Sequence, residues 1–197
     1  MNILVTGEYG FLASALIDSL TKIHNLIMYD HDVRYYKSFE NIDIILHFAS
    51  PSDRVEFTNR EKVTTTIIDG TINMVNIAKE NNAVLVFAST MGVYTYDIDD
   101  VYCSCKRAME HYILSTCDRY VILRIPRVYH KTRDKGLMRL LRTGNVSEEQ
   151  MCNNVEFLDL SEFTKQTVRA LRDNTNQIFE YNNMQNKSVQ EIKELYV

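Results

Sequence analysis

Apolar and polar positions fall in blocks along the chain, and the blocks change period. Asn2 to Thr6 is an apolar, β-branched run of the kind found in strands buried on both faces, whereas from Phe11 onward the apolar spacing is helical. Leu26 to Tyr29 and Ile42 to Phe48 repeat the strand pattern, Thr64 to Lys79 has helical spacing, and Ala83 to Ala88 reads as a fourth strand. Tyr102 to Ser115 predicts a helix and Tyr120 to Ile125 a fifth strand. This alternation predicts an α/β fold, a doubly wound parallel sheet, because right-handed crossovers place helices on both faces. After Arg127 the rhythm loosens. A helix near Gly136 to Arg142, a strand near Val155 to Leu158, a helix over Glu162 to Arg172, a strand near Gln177 to Tyr181 and a last helix from Ser188 make a small α/β lobe on the sheet's carboxyl edge.

Composition narrows the functional classes. With 197 residues, 45% of them hydrophobic and 24% charged, one globular core is expected. The net charge of -4 and the lack of a basic tract argue against nucleic acid as a partner. No apolar run approaches the ~18 residues that span a bilayer, and the first ten residues lack a signal peptide's basic start, so no membrane association and a cytoplasmic location are expected. Cys103, Cys105, Cys117 and Cys152 show no CxxC spacing and no neighbouring His pair, which predicts packing thiols and no metal.

The first chemical signal is Gly7-Glu8-Tyr9-Gly10-Phe11-Leu12-Ala13, a glycine turn between a strand and a helix. Glycine there allows a positive φ and close approach of backbone N–H groups, and the helix N-terminus favours a phosphate. Asp30, 17 residues beyond Ala13 at the end of the second strand, stands where an acidic side chain takes the ribose hydroxyls of a dinucleotide. Asp30 and Asp32 would repel a 2′-phosphate, so NAD is expected, with NADP kept open by His31 and Arg34. Residues 1–125 then form the dinucleotide-binding region and 126–197 a small substrate-binding lobe.

The second signal is Thr90 at the end of the fourth strand, with Tyr102 and Lys106 one turn apart on the next helix. A cation beside the phenol is expected to lower its pKa toward working pH, so that Tyr102 exchanges a proton with a substrate hydroxyl or ketone.

These motifs, in this order, resemble the extended short-chain dehydrogenase/reductases, the NAD-dependent epimerase/dehydratase family. "VTGEYGFLAS" resembles TGxxGFIG, "DIILHFAS" resembles DxVxHLAA, "LVFASTMGVY" the SSxxVYG segment, "VYCSCKRAMEHY" the YxxxK helix, and "VILRIPRVYH" LRxxNxYG. The resemblance implies cofactor contacts at Gly7, Tyr9, Gly10, Phe11, Leu12, Asp30 and Ala49. It further implies Thr90, Tyr102 and Lys106 as the catalytic group, with Tyr102 and Lys106 also facing the cofactor. Members commonly form homodimers through the helices corresponding here to Thr64–Lys79 and Tyr102–Ser115, with Ile68, Ile72 and Ile113 as candidate core.

The departures concern substrate. Tyr102 follows Thr90 by only 12 residues, shorter than in the family, and the tail is reduced. Arg127 replaces the family's Asn and, like Thr90, is expected to meet substrate; Lys131, Arg133 and Lys135 add charge for a diphosphate. Met91 and Gly92 stand where dehydratases carry an Asp-Glu pair, which disfavours dehydration. The expected substrate is a nucleotide sugar, epimerised or reduced at a 4-keto group; the alternative is a dinucleotide-binding scaffold or sensor with little turnover.

Overall fold

The computed structural model describes residues 1–53, 55–95, 100–173 and 176–197. Residues 96–99, inside the short connection between Thr90 and Tyr102, lie outside that description. The first half runs β1 (Asn2–Thr6), α1 (Phe11–Leu20), β2 (Asn25–Met28), β3 (Ile44–His47), α2 (Arg60–Asn81), β4 (Val84–Thr90), α3 (Val101–Thr116) and β5 (Tyr120–Ile125). The second half runs β6 (Val128–Tyr129), α4 (Leu137–Arg142), α5 (Glu148–Met151), β7 (Asn154–Asp159), α6 (Leu160–Asp173), β8 (Gln177–Glu180), β9 (Gln185–Ser188) and α7 (Val189–Tyr196). Two short 3-10 turns, Glu56–Thr58 and Met91–Tyr94, lie in the connections after β3 and β4.

Six strands form one parallel sheet in the order β2-β1-β3-β4-β5-β8. This is the doubly wound, Rossmann-like α/β fold the sequence predicts. The two-residue period of the strands sorts side chains onto opposite layers. Leu4, Leu85 and Phe87 face one core with Ile67 and Met74 of α2 and Met109 and Ile113 of α3. Ile3, Val5, Val84 and Val86 face the other, with Leu16 and Leu20 of α1 and Phe163 and Ala170 of α6.

One expectation is corrected here. Ile113 is 0% exposed inside the chain's own core, because α3 packs on α2, and Ile68 is partly buried against the same cluster. Ile113 therefore cannot supply a dimer interface.

The tail serves two structures. α6 and β8 complete the main layers, β8 pairing with β5 at Arg124↔Glu180. A second sheet, β6-β7-β9, packs with α4 and α7 around Tyr129, Met138, Phe157 and Ile192. It stands beyond the carboxyl end of β5.

Candidate functional site

The strand order reverses between β1 and β3, and ligands of open parallel sheets lie outside the carboxyl ends of the strands at such a switch. There Gly7, with φ of 73°, approaches the segment after β3 so closely that a Cβ would lie 2.7 Å from the Ala49 nitrogen. Only glycine fits. Gly10 donates its N–H to the Gly7 carbonyl at 2.8 Å, and a Cβ on Gly10 would stand 2.9 Å from that same oxygen. α1 begins at the next residue without a side-chain cap, so its first N–H groups face outward. Ala13, 2% exposed, fills the helix-packing role of a third glycine. A cavity of about 460 Å³ opens beside this turn, lined by Gly7, Glu8, Tyr9, Tyr29, Asp30, His31, Asp32, Val33 and Ala49. Four of the expected cofactor residues, Gly7, Tyr9, Asp30 and Ala49, thus share one cavity. Phe11 and Leu12 are half-buried, their side chains packed against the core, and do not line this cavity.

The cavity rim is charged and internally paired. Lys37 donates to Asp30 Oδ1 at 2.7 Å and holds that carboxyl below the ordinary range. Arg34 grips both oxygens of Asp32, with Nη2 at 2.6 Å from Oδ2, and lowers it likewise.

Beneath the rim lies a buried polar chain. Thr6 Oγ1 accepts the Ala49 N–H at 3.1 Å, so its own proton goes to His47 Nδ1 at 2.9 Å. His47 Nε2 then carries the ring proton toward Thr71 Oγ1 at 3.2 Å. Burial, aided by the Lys106 charge, pushes the imidazole down to about 3, so it is neutral. This chain fixes the glycine turn against Ala49.

Thr90 ends β4, and Tyr102 and Lys106 lie on α3, which follows it. Thr90 Oγ1 accepts the Gly92 N–H at 3.1 Å and caps the 3-10 turn. Lys106, 2% exposed, donates to the Ala88 carbonyl at 2.7 Å and lies 5.7 Å from the centroid of the Tyr102 ring. Burial drops the ammonium to about 7. The phenol departs from the sequence expectation: burial raises its pKa, and the opposing pull of Ser50 and Arg133 does not reverse this. In this arrangement Tyr102 keeps its proton.

Sequence reasoning missed Phe57, whose ring stacks on Tyr102 at 4.7 Å and 15°. It sits in a loop built by Glu56, whose carboxylate accepts the Ser52 and Asp53 N–H groups at 2.9 Å each. Ion pairs tie that loop to the lobe: Arg139 to Asp53, and Lys135 to Glu56 at 3.2 Å. Of the basic loop residues, Arg133 is half-buried, 5.0 Å over the Phe11 ring at the start of α1. Arg127 is exposed at the lobe's start and is not among the cavity-lining residues. Among the described residues no group of His, Cys, Asp or Glu is arranged to hold a metal, and no helix is long and apolar enough to cross a membrane.

Residues 1–189 match the family model described as the RmlD substrate binding domain. Among solved structures, the chain is similar to the UDP-N-acetylglucosamine 4-epimerase of Methanobrevibacter ruminantium in complex with UDP-N-acetylmuramic acid. The TM-score is 0.81 and the identity 17%, over 98% of this chain and 80% of that one. The UDP-glucose 4-epimerase of Thermus thermophilus in complex with NAD superposes at 0.79 with 16% identity, over 98% and 81% of the two chains. The ADP-L-glycero-D-manno-heptose-6-epimerase of Helicobacter pylori follows at 0.78 and 20%, over 97% and 79%. At these identities the likeness is one of fold. A comparison with curated proteins gave no match.

Proposed function

The chain belongs to the RmlD substrate binding domain family, within the extended short-chain dehydrogenase/reductases, and on that premise we propose that it is an NAD-dependent epimerase or 4-keto reductase of a nucleotide sugar. The observation that carries this reading is the cavity at the strand-order switch, which joins Gly7, Tyr9, Asp30 and Ala49. The nucleotide-sugar epimerases among the similar structures, one of them with NAD, support the substrate class and the cofactor.

The nicotinamide group, when bound, supplies hydride exchange; the chain's own residues do the rest. The uncapped start of α1 and the Gly7 turn meet the pyrophosphate with N–H groups and a favourable dipole. Asp30 accepts the ribose hydroxyls. The Tyr102 phenol donates its proton as charge develops on the substrate oxygen and recovers it in the reverse direction. Lys106 stabilises the phenolate formed at that moment, and the Thr90 hydroxyl orients the same oxygen. Arg133, with Arg127 nearer the surface, neutralises the substrate diphosphate. The protein acts as a homodimer.

Tyr102→Phe tests the assignment. Turnover on the true sugar is expected to fall by about a hundredfold or more, with cofactor affinity by calorimetry nearly unchanged, because the phenol acts when charge develops. Lys106→Met reduces both, and Thr90→Val falls between. A Tyr102→Phe enzyme as active as the parent overturns the assignment. The engagement of the Lys106 ammonium with the Ala88 carbonyl favours a second reading, a dinucleotide-binding scaffold. Cofactor binding without turnover across a broad panel of nucleotide sugars decides for it.

A further inference from the structure

Resting on the reading of function above, we propose that Glu110 and Arg124 are positioning residues for the reacting centre: their buried ion pair holds the segment 89–94 at both ends and so fixes where Thr90 presents its hydroxyl. Thr90 ends β4, and its Oγ1 accepts the Gly92 N–H at 3.1 Å, so the hydroxyl moves with the Met91–Tyr94 turn that follows. Whatever holds that turn holds Thr90.

Both ends of the segment are tied to one guanidinium. At the first, Ser89 Oγ donates to Glu110 Oε1 at 2.5 Å, and Glu110 Oε2 receives Arg124 Nη2 at 2.8 Å, with Arg124 Nε 3.3 and 3.2 Å from Oε1 and Oε2. At the second, Arg124 Nη1 donates to the Tyr94 hydroxyl at 2.5 Å, with Cζ 4.8 Å from the ring centroid, and the phenol donates to Glu180 of β8. Nη1 also reaches Glu180 Oε1 at 3.1 Å. The contacts run without a break from Ser89 through Glu110 and Arg124 to Tyr94.

The same carboxylate sets how α3 sits on β4. Lys106 and Glu110 are one turn apart on the helix and bind consecutive residues of the strand, Lys106 the Ala88 carbonyl at 2.7 Å and Glu110 the Ser89 hydroxyl. When Lys106 serves the Tyr102 phenolate, the Glu110 contact keeps helix and strand in register. Folding stability does not account for the pair. The Glu110 and Arg124 side chains are 4% and 18% exposed, and at such depth desolvation offsets the attraction, so apolar side chains of the same volume would hold the fold as well. What the ion pair adds is direction, through its two-pronged geometry.

The experiment is steady-state kinetics on a nucleotide sugar, with NAD calorimetry and thermal melting, in the parent, in Ser89→Ala and Tyr94→Phe, and in each combined with Thr90→Val. Neither single change removes a charge, so the Glu110–Arg124 pair stays whole and the variants are expected to fold. In each, kcat should fall about tenfold, within what a small misplacement of a reacting group costs, while KM and NAD affinity stay within about twofold. In the Thr90→Val background the same changes should alter kcat less than about twofold, because the hydroxyl they position is already gone. A parental kcat in either single variant overturns the proposal. So does an equal fall in the Thr90→Val background, which would assign the loss to general damage. A parent that turns over no nucleotide sugar overturns the reading of function and this proposal with it.

Discussion

His47 is the residue whose environment makes the sharpest demand on solution conditions. Its imidazole is 1% exposed between two threonine hydroxyls and can be protonated only at a pH near 3, against 6.5 for a free side chain. The unfolded chain therefore binds the extra proton first. Stability that is complete above pH 6.5 is lost as pH falls toward about 3, at roughly 1.4 kcal/mol per unit, a few kcal/mol in all. Chemical denaturation of His47→Asn across that window should show a flatter acid limb than the parent. Lys106 acts with the same sign in a more alkaline window. Its ammonium is lowered from 10.5 to about 7, so the unfolded state again holds more protons between those values and stability rises with pH through them. Lys106→Met should abolish that rise and make the cofactor-free protein more stable at pH 7, by about 1–3 kcal/mol, while turnover is lost. Of the residues at the site, Gly7, Gly10 and Asp30 were legible because a turn and an offset define them within one strand-helix-strand unit. Phe57 was not, because its contact with Tyr102 bridges two connections that no local spacing relates. The direction of the Tyr102 shift was misjudged for a similar reason: proximity of a cation is visible in a helical repeat, but burial is not.

At the level of elements, periodicity carried most of the information. β1 and β5 lie at their expected bounds and α1 begins at Phe11, where a long apolar signal meets a turn. β9, Gln185–Ser188, was missed because its residues are polar and it is a strand only through its antiparallel pairing with β7. α5 has four residues, too few for a period, although its capping box of Ser147 and Gln150 was a readable signal. The joint between β1 and α1 is the element boundary with the least tolerance. Gly7→Ala combines a left-handed φ of 73° with a Cβ 2.7 Å from the Ala49 nitrogen, so β1 and β3 must separate locally. A loss of about 2 kcal/mol or more is expected in thermal or denaturant unfolding, together with loss of NAD affinity by calorimetry. Gly10→Val should weaken NAD binding in the same assay, since its side chain meets the Gly7 carbonyl and blocks the approach of the pyrophosphate. An unchanged affinity in that variant would place the cofactor elsewhere.

For the whole molecule, the sequence revealed the layers and the succession of the first five strands along the chain but not how the tail is shared between them. A lobe attached after Arg127 was legible as a change of rhythm; that α6 and β8 return to the main sheet was not, because sheet order is set by long-range pairing. The lobe's ion pairs to the loop bearing Phe57 predict a substrate-side effect. Asp53→Asn removes the charge facing Arg139 and should raise KM for the nucleotide sugar several-fold more than it lowers kcat, with little effect on NAD affinity. The expected homodimer rests on the outer faces of α2 and α3, where Leu114 is 40% exposed, and light scattering at micromolar concentration should give twice the chain mass. The placement of β8 also constrains how the chain is made. Val121, Ile122 and Leu123 of β5 find their last neighbour in residues 177–180, which leave the ribosome after every other strand of this sheet. Until then β5 is an open, flat, apolar edge of the kind that recruits foreign strands. A stop codon after Asp173 would spare the glycine turn, Thr90, Tyr102 and Lys106, yet it should yield inclusion bodies instead of a smaller active enzyme.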